Sequence, residues 1–293
     1  MNPRQRYVSC ITPRGIHRLA YFEWGDPSSE KVLVCAHGLT RTGRDFDALA
    51  QSLFAEYRVV CPDYPGRGAS DWLADPSEYQ LPVYVADSVT LIARLDAEHV
   101  DWLGTSMGGL IGMILASLPK TPIRRLIVND AGPLVEAGAL ARIGQYVGKD
   151  PTFADFASAE AYIRTVCAPF GPHSDAEWRF LTEVVVRPRP EGGLRLHYDP
   201  AIAQSFNAAS PGQPINLWPV YDAIRVPTLV IRGADSDLLS KETAHQMTLR
   251  GPRAEVVEIL GVGHAPTLMH GDQSIHVKRF LATETGERVA GAS

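Results

Sequence analysis

Ser106 stands in Gly104-Thr105-Ser106-Met107-Gly108, with a glycine two residues away on either side. A serine hydroxyl is barely nucleophilic at neutral pH. Acyl transfer through it needs an imidazole to take its proton and a third group to hold that ring in one tautomer. The chain has nine histidines that could supply the imidazole. A G-x-S-x-G pentapeptide often arises by chance, so its weight comes from its surroundings. Val100-Asp101-Trp102-Leu103 reads as a strand entering the motif, and Gly109 to Ala116 reads as a buried helix leaving it. At so tight a turn only glycine-sized neighbours let strand and helix approach. The hydroxyl then faces the free N–H groups of the helix start, which suit an anion. The alternative role for Ser106 is a plain helix N-cap, its hydroxyl bonded to a backbone N–H.

Elements to position such a serine recur along the chain. Strand-like runs at Lys31–Ala36, Arg58–Pro62, Val100–Gly104, Arg125–Asn129, Thr228–Arg232 and Ala254–Ile259 alternate with helical stretches. Those stretches are Asp45–Ala55, Pro82–Glu98, Met107–Leu118, Lys241–Leu249 and Asp272–Leu281. This is the pattern of a mostly parallel sheet with helices on both faces. Arg18–Trp24 reads as an earlier strand, antiparallel to the Lys31 strand because only a short turn at Gly25-Asp26-Pro27 separates them. Residues 133–218 break the rhythm: strand-like runs fade, Pro and Gly thicken, and Phe153–Val166 and Ala176–Val186 look helical. The expected organisation is therefore a core of residues 1–132 and 219–293 with a helical insertion between them. The tail Glu284 to Ser293 is small and polar and is expected to fray.

Composition narrows the function. Of 293 residues 45% are hydrophobic and 21% charged, enough apolar content for a packed core. A net charge of −5 offers no basic stripe for phosphates, so nucleic acid is not an expected partner. The longest nearly apolar run, Met107 to Leu118, is too short for a membrane span, and no export signal is visible. Cys10, Cys35, Cys61 and Cys167 form no CxxC pair and fit buried, reduced thiols in a cytoplasmic protein. With no HExxH and no GxxxxGK[ST], neither a metal nor a cofactor is expected.

Strand, Gly-x-Ser-x-Gly, helix, then an acid and a histidine in that order resembles the α/β-hydrolase family, over nearly the whole chain outside the insertion. His37-Gly38-Leu39 resembles the family's HGx loop after the third strand, and Asp63-Tyr64-Pro65-Gly66-Arg67-Gly68-Ala69-Ser70 its DxxGxGxS loop after the fourth. The resemblance implies His264, on the glycine-rich loop Gly261 to Pro266 after the last strand, as the base. His37 would serve the architecture of its own loop, and His245, His270 and His276 read as helix-face residues. For the acid, Asp237 is preferred, in Arg232-Gly233-Ala234-Asp235-Ser236-Asp237-Leu238-Leu239-Ser240, a stretch resembling a branch that reads RGxxSDxLS. Asp235 and Asp130 remain alternatives, since the family's usual acid slot, three residues after the glycine, holds Ser236 and some members take the acid from the neighbouring strand. The backbone amides of Leu39 and Met107 are the implied oxyanion donors, their side chains lining the acyl pocket.

The insertion is expected to cap Ser106, with Tyr146, Trp178, Tyr198 and Trp218 as substrate-facing aromatics or as the cap's own core. Arg187, Arg189 and Arg195, around the turn Pro190-Glu191-Gly192-Gly193, read as solvated charges, with carboxylate binding the alternative. The whole reads as an α/β protein, a serine hydrolase acting on a small ester, thioester or related acyl compound, of open oligomeric state. Its rivals are a carbon–carbon bond hydrolase of a dicarbonyl ring-cleavage product, a cofactor-free perhydrolase, and a ligand-sensing protein that scarcely turns over.

Overall fold

The computed structural model describes residues 2–209 and 212–283. Eight strands form the central sheet: β1 (Arg4–Thr12), β2 (Gly15–Trp24), β3 (Val32–Ala36), β4 (Arg58–Asp63), β5 (Val100–Thr105), β6 (Ile123–Asn129), β7 (Thr228–Gly233) and β8 (Glu255–Ile259). Their order is β1-β2-β4-β3-β5-β6-β7-β8, parallel from β4 onward, with β1 and β2 antiparallel at one edge.

A parallel strand covered on both faces must be apolar throughout rather than alternating. Val32–Ala36 of β3 is buried at every position. Val32, Val34 and Ala36 enter one core layer, and Leu33 and Cys35 enter the other. Helices α1 (Asp47–Leu53), α2 (Leu81–Arg94) and α3 (Met107–Ser117) cover the first half of the sheet. In residues 133–218 lie α4 (Ala137–Gly144), α5 (Phe156–Val166), α6 (Asp175–Glu183) and α7 (Ile202–Ala209). Next come α8 (Trp218–Ala223), α9 (Lys241–Leu249) and α10 (Gly271–Ala282). Ser240 caps α9 by accepting from Thr243 N–H. All four cysteines are buried and free. No helix among the described residues is long and apolar enough to cross a membrane.

Three expectations change. Arg18–Trp24 pairs with β4 (Glu23 opposite Val60) and not with the Lys31 strand, because β4 lies between them. A short turn fixes sequence proximity but not sheet neighbourhood. Arg4–Thr12, where no strand was expected, forms β1. Its buried residues are only Val8, Cys10 and Thr12, a half-polar edge strand defined by pairing rather than by hydrophobicity. The segment 133–218 is not purely helical: Thr152–Phe153, Leu194–Leu196 and Val186–Pro188 make a small antiparallel sheet. Leu134–Val135 also pairs with Ile215–Asn216, drawing the segment's two ends together. Strands of two or three residues are too short to leave a period in the sequence. The expected fraying of Glu284 to Ser293 lies outside the described residues.

The tightest packing lies where β5 meets α3. A Cβ on Gly104 would sit 2.0 Å from the Gly108 carbonyl oxygen, and one on Gly108 would sit 2.1 Å from that of Ala36. The obstacles are backbone atoms, which cannot turn aside as a side chain can. Gly104→Ala and Gly108→Ala should each destabilise the fold by about 3 kcal/mol, roughly a 10 °C fall in Tm. Gly138→Ala, where nothing lies within 4 Å, should leave Tm within a few degrees. Thermal unfolding of the three variants checks the contrast.

Candidate active site

Because β5 and α3 approach so closely, the residue between them takes a backbone conformation that L-residues avoid. Ser106 has φ 53° and ψ −116° and makes no side-chain cap bond to α3. Its hydroxyl is therefore not an N-cap. It lies 3.0 Å from Nε2 of His264, whose Nδ1 is 2.7 Å from Oδ2 of Asp130. A carboxylate only accepts, so Nδ1 carries the proton and Nε2 is left to accept from Ser106. The His264 side chain is 13% exposed and Asp130 fully buried.

Asp130, which directly follows β6, has φ 51°, and this turns its side chain beneath the imidazole. Three donors converge on the buried carboxylate. Gly233 N–H bonds Oδ1 at 2.9 Å, and the Ser236 hydroxyl (2.6 Å) and His264 Nδ1–H bond Oδ2. Such donors offset the loss of hydration that would otherwise make a buried charge untenable. The Ser236 hydroxyl is itself aimed by the amides of Leu238 and Leu239, which it accepts at 3.2 and 3.1 Å. Arg232 braces the same loop through the carbonyls of Leu239, Ala234 and Ser236.

The preference for Asp237 is therefore corrected: Asp130 is the carboxylate at His264. Asp237 points outward, its side chain 53% exposed, and forms an ion pair with Arg142 (Nη2 to Oδ1 2.8 Å). Asp235 is exposed as well. The RGxxSDxLS spelling placed the loop correctly but not the orientation of its aspartates. Ser236, standing in the slot where the resemblance expects an acid, was the sign that favoured the alternative Asp130.

Leu39 follows His37-Gly38 at the end of β3 and lines the same cavity as Ser106 and His264. Met107 is the first residue of α3, so its N–H has no carbonyl within the helix to bond. The Met107 side chain does not line that cavity as expected but lies against Arg67, Sδ 3.7 Å from Nη2. Arg67, fully buried, also donates to the carbonyls of Leu39 (2.8 Å) and Pro65 (2.7 Å) and to the Tyr84 hydroxyl (2.7 Å). It has no ion pair among the described residues, and its guanidinium lies 5.0 Å from the Tyr84 ring centroid. Sequence reading passed over Arg67 as one letter of a loop motif.

His37 has the architectural part expected of it. Nδ1–H donates to the Gly38 carbonyl at 2.7 Å, and Nε2 accepts from Tyr64 N–H at 2.9 Å. Burial pushes its pKa down to about 3, so the ring is neutral and keeps both bonds. His245 and His276 lie on helices, whereas His270 is the N-cap of α10 and meets Glu177 at 2.9 Å.

Of the four aromatics nominated from the sequence, Tyr146 and Tyr198 line the cavity. Trp178 and Trp218 do not. Trp178 packs on His173 (ring centroids 5.1 Å apart), and Trp218 lies under Arg250 and against Tyr221. Arg187 and Arg195 cover Trp72, and Arg189 pairs with Glu191, so none of these three arginines reaches the cavity. Elsewhere Cys10, His17 and Asp87 lie within 4.8 Å of one another, fully buried between β1, β2 and α2. Burial and Asp87 push the Cys10 thiol up to about 12, so it stays protonated as a donor to Asp87, which His17 Nε2 also meets at 3.0 Å.

The chain is similar to known proteins along most of its length. It is 52% identical over 287 residues to a 3-hydroxybutyrate-oligomer hydrolase of Cupriavidus necator, covering 96% of this chain and 98% of that protein. It is 27% identical over 242 residues to a 2-(acetamidomethylene)succinate hydrolase of Mesorhizobium japonicum, covering 82% and 83%. The crystal structure of an alpha/beta hydrolase from Novosphingobium aromaticivorans superposes with a TM-score of 0.85 at 34% identity, covering 96% and 98%. The alpha/beta hydrolase family profile matches residues 33–275, and the chain belongs to that family.

Proposed function

We propose that this hydrolase cleaves the ester bonds of short 3-hydroxybutyrate oligomers through an acyl-enzyme. The observation that carries the chemistry is the hydrogen-bonded line Asp130–His264–Ser106 opening into the cavity. The similarity to the Cupriavidus necator protein supports the substrate. Ser106 Oγ attacks the ester carbonyl carbon while His264 Nε2 takes its proton, and Asp130 steadies the imidazolium that forms. The carbonyl oxygen, now negative, turns to the amides of Leu39 and Met107. The Arg67 charge lies directly behind both residues, holding Leu39 through its carbonyl and favouring negative charge in front of it. His264 then gives its proton to the departing alkoxide, a 3-hydroxyacyl end, and the C–O bond breaks. Water attacks the acyl-enzyme, His264 taking its proton and returning it to Ser106 Oγ as the acid leaves. The insertion, which supplies much of the cavity wall, acts as a cap that selects the acyl chain.

A fluorophosphonate probe should add one adduct to the intact mass, mapped to the peptide carrying Ser106. The adduct should be absent in Ser106→Ala and slow to form in His264→Ala. Unlabelled Ser106, or a label elsewhere, refutes the assignment. Asp130→Asn should lower kcat by about 10³- to 10⁴-fold, against less than about tenfold for Asp237→Asn. Near-full activity in Asp130→Asn, with the large loss in Asp237→Asn, would return the acid to Asp237.

Ser236 and Arg67 act through their neighbours. Ser236→Ala removes one of three donors to Asp130 and should lower kcat about tenfold with KM little changed. Arg67→Met should lower kcat by roughly 10- to 100-fold, with threefold or less in KM, because the charge behind the oxyanion matters only as that charge develops. Steady-state kinetics on p-nitrophenyl butyrate, with Tm as a folding check, reads both.

A further inference from the structure

An oligomer of 3-hydroxybutyrate carries a carboxylate at one end. In a dimer that carboxylate is only four bonds from the scissile carbonyl carbon, on the leaving unit. A short substrate therefore brings its negative charge into the cavity along with its ester, and a carboxylate drawn out of water needs a cation or several donors to receive it.

Two cationic side chains line the cavity among the described residues, Arg41 and Arg142. Arg41 is fully committed. Its Nε and Nη2 grip Asp45 at 2.8 and 2.6 Å, Nη2 also reaches the Leu181 carbonyl at 3.3 Å, and the guanidinium lies over Phe170. Both members of that pair are shielded, at 11% and 20% exposure. Arg142 differs. Its partner Asp237 is half in solvent and Arg142 itself 37% exposed, and a pair so hydrated is held weakly. Asp237 takes the Nε and Nη2 side of the fork, so the fork's other edge can meet a second carboxylate. Arg142 stands on α4 with Ile143, just before Tyr146, and all three line the cavity that holds Ser106 and His264. The Tyr146 phenol adjoins the guanidinium and adds a hydroxyl to the same corner.

We propose that Arg142 is the receptor for the substrate's terminal carboxylate, with Asp237 as its resting counter-ion. The assignment rests on the oligoester reading above and adds a direction to it: the dimer binds with its carboxyl unit toward α4 and its hydroxyl unit as the acyl group. It also gives the Arg142–Asp237 pair a use. Asp237 adjoins Ser236, so the pair joins the insertion to the loop that holds Asp130.

The test compares the 3-hydroxybutyrate dimer as free acid with its methyl ester, on wild type, Arg142→Met and Arg142→Lys, with Tm confirming the fold. Wild type should favour the free acid in kcat/KM. Arg142→Met should lower the acid-to-ester ratio by about 10- to 100-fold, chiefly through KM for the acid, and Arg142→Lys should restore part of it. 3-Hydroxybutyrate should compete with p-nitrophenyl butyrate on wild type and lose at least tenfold in Ki in Arg142→Met. An acid-to-ester ratio unchanged by Arg142→Met, with both dimers still hydrolysed, overturns this assignment alone. A wild-type enzyme that turns over p-nitrophenyl butyrate but neither dimer overturns the oligoester reading, and this assignment with it.

Discussion

Backbone touches backbone where β5 turns into α3, and the line of Ser106, His264 and Asp130 is arranged around that contact. Gly104 abuts the carbonyl of Gly108, and Gly108 abuts the carbonyl of Ala36 at the end of β3. The first contact makes the turn so sharp that Ser106 is forced to positive φ, which lifts its hydroxyl clear of the helix it begins. The second locks the start of α3 against the strand leading to His37-Gly38-Leu39. The two amides proposed as oxyanion donors thus come from separate segments whose spacing one glycine sets. The strain at Ser106 is offset by the apolar residues that β5 and α3 bury on either side of it.

The buried polar groups follow a second constraint: each must be met by fixed partners. Asp130 has the Gly233 amide, Ser236 and His264. Arg67 has two carbonyls and a tyrosine hydroxyl. Asp63, its pKa raised to about 6 by burial, accepts from the amides of Gly43 and Ala69 at 2.7 and 2.8 Å. Since most of these partners are main-chain groups, the loops that supply them are positioned in turn, which ties the cavity floor to the sheet. With the carboxylate at His264 supplied from the end of β6, the serine at position 236 donates to it rather than carrying a charge of its own.

Above that floor the walls have a different origin. The segment 133–218 contributes Ile143, Tyr146, Tyr162, Phe170, Leu196 and Tyr198 to the cavity, mostly apolar surface. Its attachment to the core is partly polar. The Thr42 hydroxyl donates to the Val184 carbonyl, Gly68 N–H to the His197 carbonyl, Arg41 to that of Leu181, and Arg142 meets Asp237. Polar contacts of this kind hold a segment less firmly than an apolar core does.

The alternation of apolar runs with helical stretches marked six of the eight strands and the antiparallel Arg18–Trp24 strand within a few residues. Glycines two residues either side of Ser106 marked the turn, and the loop after the last strand marked His264, because each is a local requirement written in neighbouring residues. The carboxylate that meets His264 was not legible in the same way. Asp130, Asp235 and Asp237 all end up near the carboxyl ends of adjacent strands, and only the φ of Asp130 and the outward path of the later loop decide which carboxylate lies beneath the imidazole. Likewise, the strand neighbouring β2, the burial of Arg67 behind two amides, and the distribution of aromatics between cavity and core depend on contacts between segments distant in the chain. Sequence fixes what each segment prefers locally, whereas the direction in which a side chain points is settled only when the other elements have packed around it.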